Sequence, residues 1–107
     1  MISDDRLHKA LTYLAETDAP YAEARGQLLR CEHAAKLARA RMYLLSDRKS
    51  VEDRKADAEV SADVRDADAQ VADQTVTVEA LRAKRTTEVT IVEVWRSLQA
   101  NRRVGNV

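Results

Sequence analysis

The hydrophobic positions in the second half of the chain follow a helical period. Between Ser61 and Arg103 there is neither Gly nor Pro, so nothing in this stretch forces a helix to end. Apolar residues recur at spacings of three, four or seven, which lines one side of a helix: Val64, Ala67, Val71, Val78, Leu81, Val92 and Trp95. The pattern predicts a helix over about 62–103, roughly 60 Å long.

The first half predicts two helices separated at a proline. Ser3 before two Asp residues is an N-cap signal, and a helix over about 4–16 follows. Pro20 is tolerated only in the first turn of a helix, so the next helix should run over about 20–45. Its heptad series is the most regular in the chain: Tyr21, Ala24, Leu28, Cys31, Ala35, Ala38, Met42 and Leu45. The small residues in it favour close antiparallel packing. Leu29, Leu37 and Leu44 form a second stripe.

A short connecting helix is predicted between the two long ones. Ser50 with Asp53 makes an approximate capping box, which starts a helix over about 51–58. Ser61 is a candidate N-cap for the long helix, and the alternative is one continuous helix from residue 51. Residues 75–78 and 88–91 alternate in the β manner, but no hairpin turn residues lie between them, so we favour helix.

These elements predict an all-α fold: an elongated antiparallel helical hairpin, coiled-coil-like, with a short N-terminal helix and a short connecting helix. One domain of residues 1–107 is expected from the length. If the long helix folds back on the second, residues 89–103 extend beyond it. Either the first helix or a helix of another copy must cover that end, because it is apolar on most of its circumference. We expect a homo-oligomer, with a partner interface at Val89, Val92, Trp95 and Leu98.

Charge is balanced overall but segregated along the chain. The 18 basic and 18 acidic residues give zero formal net charge, which argues against a general nucleic-acid or membrane-surface binder. The acidic stretch 52–73 is expected to pair with the basic second helix. The alternative is a phosphate-contacting basic end, made of Arg82, Lys84, Arg85, Arg96, Arg102 and Arg103.

No constellation of residues indicates chemistry. Cys31 is the only cysteine, which fits a reducing compartment, and its helical spacing from His33 points the two side chains about 200° apart. The chain has no Gly-rich phosphate loop and no His-Glu-x-x-His motif. We therefore predict no enzymatic activity and no catalytic residue, metal, cofactor or small-molecule substrate. The chain also lacks an apolar run of about 20 residues, so no membrane association is expected.

Three stretches resemble small helical proteins from the early region of tailed bacteriophages and prophages. These are the ending 91–103, the segment from Ser50 to Ser61 and the pair Lys84-Arg85. The resemblance implies a phage origin, the cytoplasm of a bacterial host and a role near recombination functions such as single-strand annealing. It carries no functional residue.

The leading hypothesis is a non-enzymatic helical protein–protein interaction module. Its expected partner is a phage or host protein, in a role accessory to phage DNA recombination or replication. Two alternatives stay open. One is direct nucleic-acid binding by the basic C-terminal helix, and the other is a virion assembly or scaffolding component.

Overall fold

Three α-helices contain most of the chain. The computed structural model describes residues 1–105. Helix α1 spans Asp4–Leu45, α2 spans Val51–Val60 and α3 spans Ala62–Gly105. No strand occurs within these 105 residues, and both β-like segments lie inside α3. The all-α prediction is therefore confirmed, while residues 106 and 107 lie outside the described range.

Each helix begins at a serine that caps it. The hydroxyls of Ser3, Ser50 and Ser61 each accept a hydrogen bond from the amide three residues later, at 3.0, 3.0 and 3.3 Å. Such bonds satisfy donors that the first turn of a helix leaves unpaired. Ser61 has an extended backbone, with φ −67° and ψ 147°, which separates α2 from α3. The predicted break at this point is confirmed, and a continuous helix from residue 51 is excluded.

The predicted break near Pro20 is wrong, because α1 runs through it without interruption. The proposed helices over 4–16 and 20–45 are one helix. The heptad series of the second helix, carried back from Tyr21, passes through Thr17, Leu14, Ala10 and Leu7 in phase. All four are buried or half-buried, and Ala10 is fully enclosed, whereas Pro20 faces solvent. Packing on both sides of the proline therefore outweighs its local preference for a helix start.

The chain forms two compact units, and both contain parts of α1 and α3. The terminal unit combines Met1–Ala22 with α3 from Glu79 onward, and the central unit is Glu23–Val78. In the terminal unit Arg6 contacts Glu88 and Tyr21 contacts Arg82, so the two helices run antiparallel there.

The central unit has the same antiparallel arrangement, and α2 lies between the long helices in sequence. Ala24 contacts Gln74, and Arg39 contacts Asp68. The pairing of α1 with α3 is that of a helical hairpin, as predicted. The cover for the apolar end of α3 comes from the first part of α1 itself, which is one of the two alternatives that the sequence left open.

The core is a narrow seam of small side chains. Its buried members are nearly all Ala or Val, and the largest that are fully enclosed are Val64 and Val78. The buried apolar set is Ala10, Ala24, Cys31, Ala35, Ala38, Ala58, Val64, Val78 and Val92. Because each of these side chains buries little area, the seam leaves many larger apolar residues outside it. Leu45, predicted to end the seam, is one of them.

Candidate interaction surfaces

The face of α3 that packs on α1 follows an unbroken heptad series. Every member is buried or half-buried: Val64, Ala67, Val71, Gln74, Val78, Leu81, Arg85, Glu88, Val92, Trp95 and Gln99. Three members in the interior of the series are polar, namely Gln74, Arg85 and Glu88. Buried polar groups require partners, and each of these three finds them on α1.

Gln74 is the polar seam residue of the central unit. Its Nε2 donates a hydrogen bond to the backbone carbonyl of Ala24 at 3.1 Å. That carbonyl belongs to a small, buried position of α1, where α3 approaches closely. The amide therefore fixes which turn of α1 lies opposite Gln74.

Arg85 makes the most extensive polar contact of the terminal unit. One guanidinium nitrogen donates to the carbonyl of Leu14 at 3.0 Å and to the hydroxyl of Thr17, and the other donates to Asp18. The Arg85 side chain is only 18 % exposed, and its guanidinium carbon lies 5.3 Å from the centre of the Tyr21 ring. These contacts tie α3 to the turn of α1 that precedes Pro20.

Glu88 forms a two-pronged ion pair with Arg6. Arg6 Nη2 donates to Glu88 Oε1 at 2.8 Å, and Arg6 Nη1 lies 2.8 Å from Oε2. The Glu88 carboxylate is buried, while Arg6 is partly exposed. The hydrogen bond from Arg6 lowers the pKa of Glu88, and this effect exceeds the opposing effect of burial.

The three polar seam residues specify the register in which α3 packs against α1. A polar residue at a heptad core position favours the one register in which its partner is present. None of the three was predicted to lie in the seam, because the predicted stripe contained only apolar residues, and Arg85 was assigned to the basic end instead. The sequence does contain a signal for their place in the seam, since the heptad spacing that starts at Val64 includes positions 74, 85 and 88.

The four residues of the predicted partner interface differ in how far the chain itself covers them. Val92 is buried in the seam, and Trp95 is half-buried with its indole Nε1 enclosed by protein and without an acceptor among residues 1–105. Val89 and Leu98 are both about 40 % exposed, at 42 % and 39 %, but nine residues apart they face opposite sides of α3. Val89 lies in an open groove of about 540 Å³ that Tyr21 also lines. A partner-binding role for Val89 and Leu98 stays a prediction, and Val92 is covered by the chain itself.

Half of the predicted phosphate-contacting set is engaged within the terminal unit. Arg82 donates to the Tyr21 hydroxyl at 3.0 Å and also bonds Glu79, and the bond to Tyr21 is the main cause of its raised pKa. The Lys84 ammonium lies 4.6 Å from the centre of the Tyr13 ring, and Arg85 is held as described above. The other three, Arg96, Arg102 and Arg103, are exposed, and Arg102 Nη2 approaches the sulfur of Met1 at 4.0 Å.

The acidic stretch pairs with basic α1 in the central unit, as the sequence analysis expected. Arg39 bonds Glu59 at 2.7 Å and also bonds Asp68, and Arg41 lies 3.9 Å from Asp63. The hydrogen bond from Arg39 lowers the pKa of Glu59. The side chains in these pairs are 38–62 % exposed, so the pairs add little stability.

The most exposed row of large apolar residues lies on α1 in the central unit. Leu29, Leu37 and Leu44, here called the leucine row, are 67 %, 56 % and 75 % exposed. They fall within about 80° of one another around the helix. Each is nine residues from a seam position, so the row lies on the side of α1 opposite the seam.

Comparison with models of known protein families, with curated proteins and with solved structures gives no match for this chain. The bacteriophage resemblance therefore stays an expectation from the sequence. Within residues 1–105 there is no group of three or more His, Cys, Asp or Glu side chains placed to hold a metal ion. The helices of the same range include none with the length and apolar character needed to cross a bilayer.

Proposed function

We propose that this chain is a non-enzymatic helical protein–protein interaction module. The observation that carries the proposal is the leucine row, because three large apolar side chains face solvent on the side of α1 that the seam does not use. Exposed apolar patches are typical of protein-binding surfaces, and these three leucines are aligned along one side of the helix. The seam is already closed by the chain's own polar and apolar contacts, so the row is available to another chain.

The expected partner is a phage or host protein, and the resemblance described above favours a role accessory to phage DNA recombination or replication. Self-association into a homo-oligomer belongs to the same proposal. Both would use exposed helical faces, which is how amphipathic helices recognise one another.

The test compares the wild-type chain with a variant in which Leu29, Leu37 and Leu44 are all changed to Gln. We expect the wild type either to self-associate or to bind at least one protein of a bacterial extract. The variant should lose that self-association or that binding. Sedimentation velocity measures self-association, and quantitative mass spectrometry of proteins retained on the immobilised chain measures other partners.

The matched control is Val76→Gln, which removes an exposed apolar side chain from α3 of the same unit. It should behave as the wild type. Circular dichroism must show equal helix content in all three proteins, as expected for exposed positions. Identical sedimentation and identical retained proteins in wild type and triple variant would refute the proposed function.

A further inference from the structure

The leucine row has the geometry of a docking surface for one helix. Leu29 and Leu44 are 15 residues apart, which is about 22 Å along the axis at 1.5 Å per residue. Between the leucines the same side of α1 carries His33 and Ala40. The large leucine side chains form ridges, and a small side chain between them leaves a groove. The apolar side chains of another helix can pack into such a groove.

Basic residues flank the leucine row on both sides. From Glu23 to Leu45 the helix has five Arg or Lys residues and two Glu residues. By helical spacing, Arg30 and Arg41 follow one edge of the row and Lys36 lies at the other.

The flanking bases are largely exposed. The Arg30 side chain is 59 % exposed and pairs with Glu23 at 2.9 Å, and the Arg41 side chain is 62 % exposed and lies 3.9 Å from Asp63. Lys36 has no ion-pair partner in the part of the chain that the structure describes. Lys36 and Arg41 are therefore open to acids of another molecule, whereas Arg30 is already paired with Glu23.

An open depression of about 430 Å³ borders the leucine row on the side of α2. Ala40 and Ala58 contribute its apolar lining, and Tyr43 forms a wall. Lys55 lines it and is exposed, and its ammonium lies 4.0 Å from Glu52. The depression extends the apolar surface beyond the row, and it is also lined by Arg39 and Glu59, which pair with each other.

We infer that the leucine row binds an amphipathic α-helix of a partner protein whose apolar stripe is bordered by acidic residues. The inference rests on the proposed function and narrows the partner to one chemical class. Charge complementarity selects this occupant. A symmetric pair of copies through the row would bring basic edge against basic edge. The zero net charge of the chain gives no general attraction to an anionic membrane.

The experiment uses two synthetic helical peptides of 18 residues as probes. Both carry the same leucine stripe, and its edges hold Glu in one peptide and Lys in the other. Fluorescence anisotropy measures their binding to the full chain at low and at high salt. We expect the Glu peptide to bind at least about tenfold more tightly at low salt, with the difference shrinking as salt screens the charges.

Two variants assign the binding to the row. Leu37→Gln should weaken binding of the Glu peptide, and Lys36→Glu combined with Arg41→Glu should reverse the preference between the peptides. Val76→Gln serves as the control and should bind as the wild type.

Each other outcome overturns the inference in a distinguishable way. If both peptides bind equally and Leu37→Gln abolishes the binding, the inference of an acidic partner is refuted but the proposed function stands. The same conclusion follows if neither peptide binds and the chain self-associates in a way that Leu37→Gln abolishes. Binding to vesicles containing phosphatidylserine, again lost in Leu37→Gln, makes the row a membrane surface. No binding to either peptide, to vesicles or to itself overturns the inference, and the retention experiment then decides the proposed function separately.

Discussion

Glu88 is a carboxylate at an apolar seam position, and Arg6 is its partner there. Arg6 lowers the pKa of Glu88 from its ordinary value of 4.5. Between the unfolded and folded pKa values the unfolded chain therefore binds more protons, so stability rises with pH in that window. The contribution of the pair is fully present above pH 4.5 and is lost as the pH falls through the lower, folded pKa.

Glu88→Gln removes this titration while keeping the shape of the side chain. We expect the free energy of unfolding at pH 7 to fall by about 1 kcal/mol, a modest value because Arg6 is partly hydrated. The difference between wild type and variant should shrink as the pH falls below 4.5, through the lowered pKa of Glu88. Urea unfolding followed by circular dichroism at pH 7, 5 and 3.5 measures it. Glu93→Gln, at an exposed position of the same helix, is the control. A difference that stays constant over this range would contradict the assignment.

Residue-scale contacts were the least predictable part of the molecule. The period of α3 identifies positions 74, 85 and 88 as seam positions, but their partners are 50 to 82 residues away in sequence. Local spacing gives no information on which atoms meet across two helices. The predicted functions of Arg82 and Arg85 came from their charge alone, whereas the structure shows internal partners for both.

At the scale of the helix, Pro20 lies inside α1 and its side chain faces solvent. An interior proline removes one backbone hydrogen bond and is less favourable than Ala by about 3 kcal/mol. Pro20→Ala should therefore raise the free energy of unfolding by about 2 kcal/mol, since no packing is lost. Thermal and urea unfolding measure the change.

The control for this prediction is Ala19→Ser, at the exposed neighbouring position, which should change stability by less than about 0.5 kcal/mol. If a helix began at Pro20 instead, the proline would suit its first turn and replacing it would bring no gain. A neutral or destabilising Pro20→Ala variant would thus contradict a continuous α1.

Helix ends were predictable where a capping residue and the apolar period agreed. The starts of the three helices were predicted from capping serines, namely Ser3, Ser50 and Ser61, and the end of α1 was predicted at Leu45. The error at Pro20 arose because a local rule was preferred to the heptad series that crosses it. The β-branched segments 75–78 and 88–91 were assigned correctly for the opposite reason, because the longer period outweighed local propensity.

At the scale of the whole chain, the sequence located apolar surface better than it located partners. The spacing of Leu29, Leu37 and Leu44 marks a second stripe on α1, and the structure leaves it exposed. Of the interface residues predicted on α3, Val92 is buried in the seam of the chain itself, and a partner-binding role for the others stays a prediction. Which apolar residues remain outside depends on which helix covers which, and that is a tertiary property.

Six basic residues were predicted to bind nucleic acid, and their availability also depends on which helix covers them. Arg82, Lys84 and Arg85 contact groups of the terminal unit, so Arg96, Arg102 and Arg103 are the members left to meet phosphates. For duplex DNA, the slope of log K against log salt concentration is about −0.9 per phosphate contact. Three contacts therefore give little affinity at physiological salt.

We therefore expect a flat titration of labelled 20-nucleotide single-stranded DNA and of the matching duplex, measured by anisotropy at 150 mM salt. Any binding at low salt should be weak and should disappear when Arg96, Arg102 and Arg103 are all changed to Gln. Changing Arg30 and Lys36 to Gln controls for loss of positive charge elsewhere. Saturable binding at 150 mM salt that the C-terminal triple variant abolishes would favour the nucleic-acid alternative. It would mean that Arg96, Arg102 and Arg103 suffice for binding without Arg82, Lys84 and Arg85.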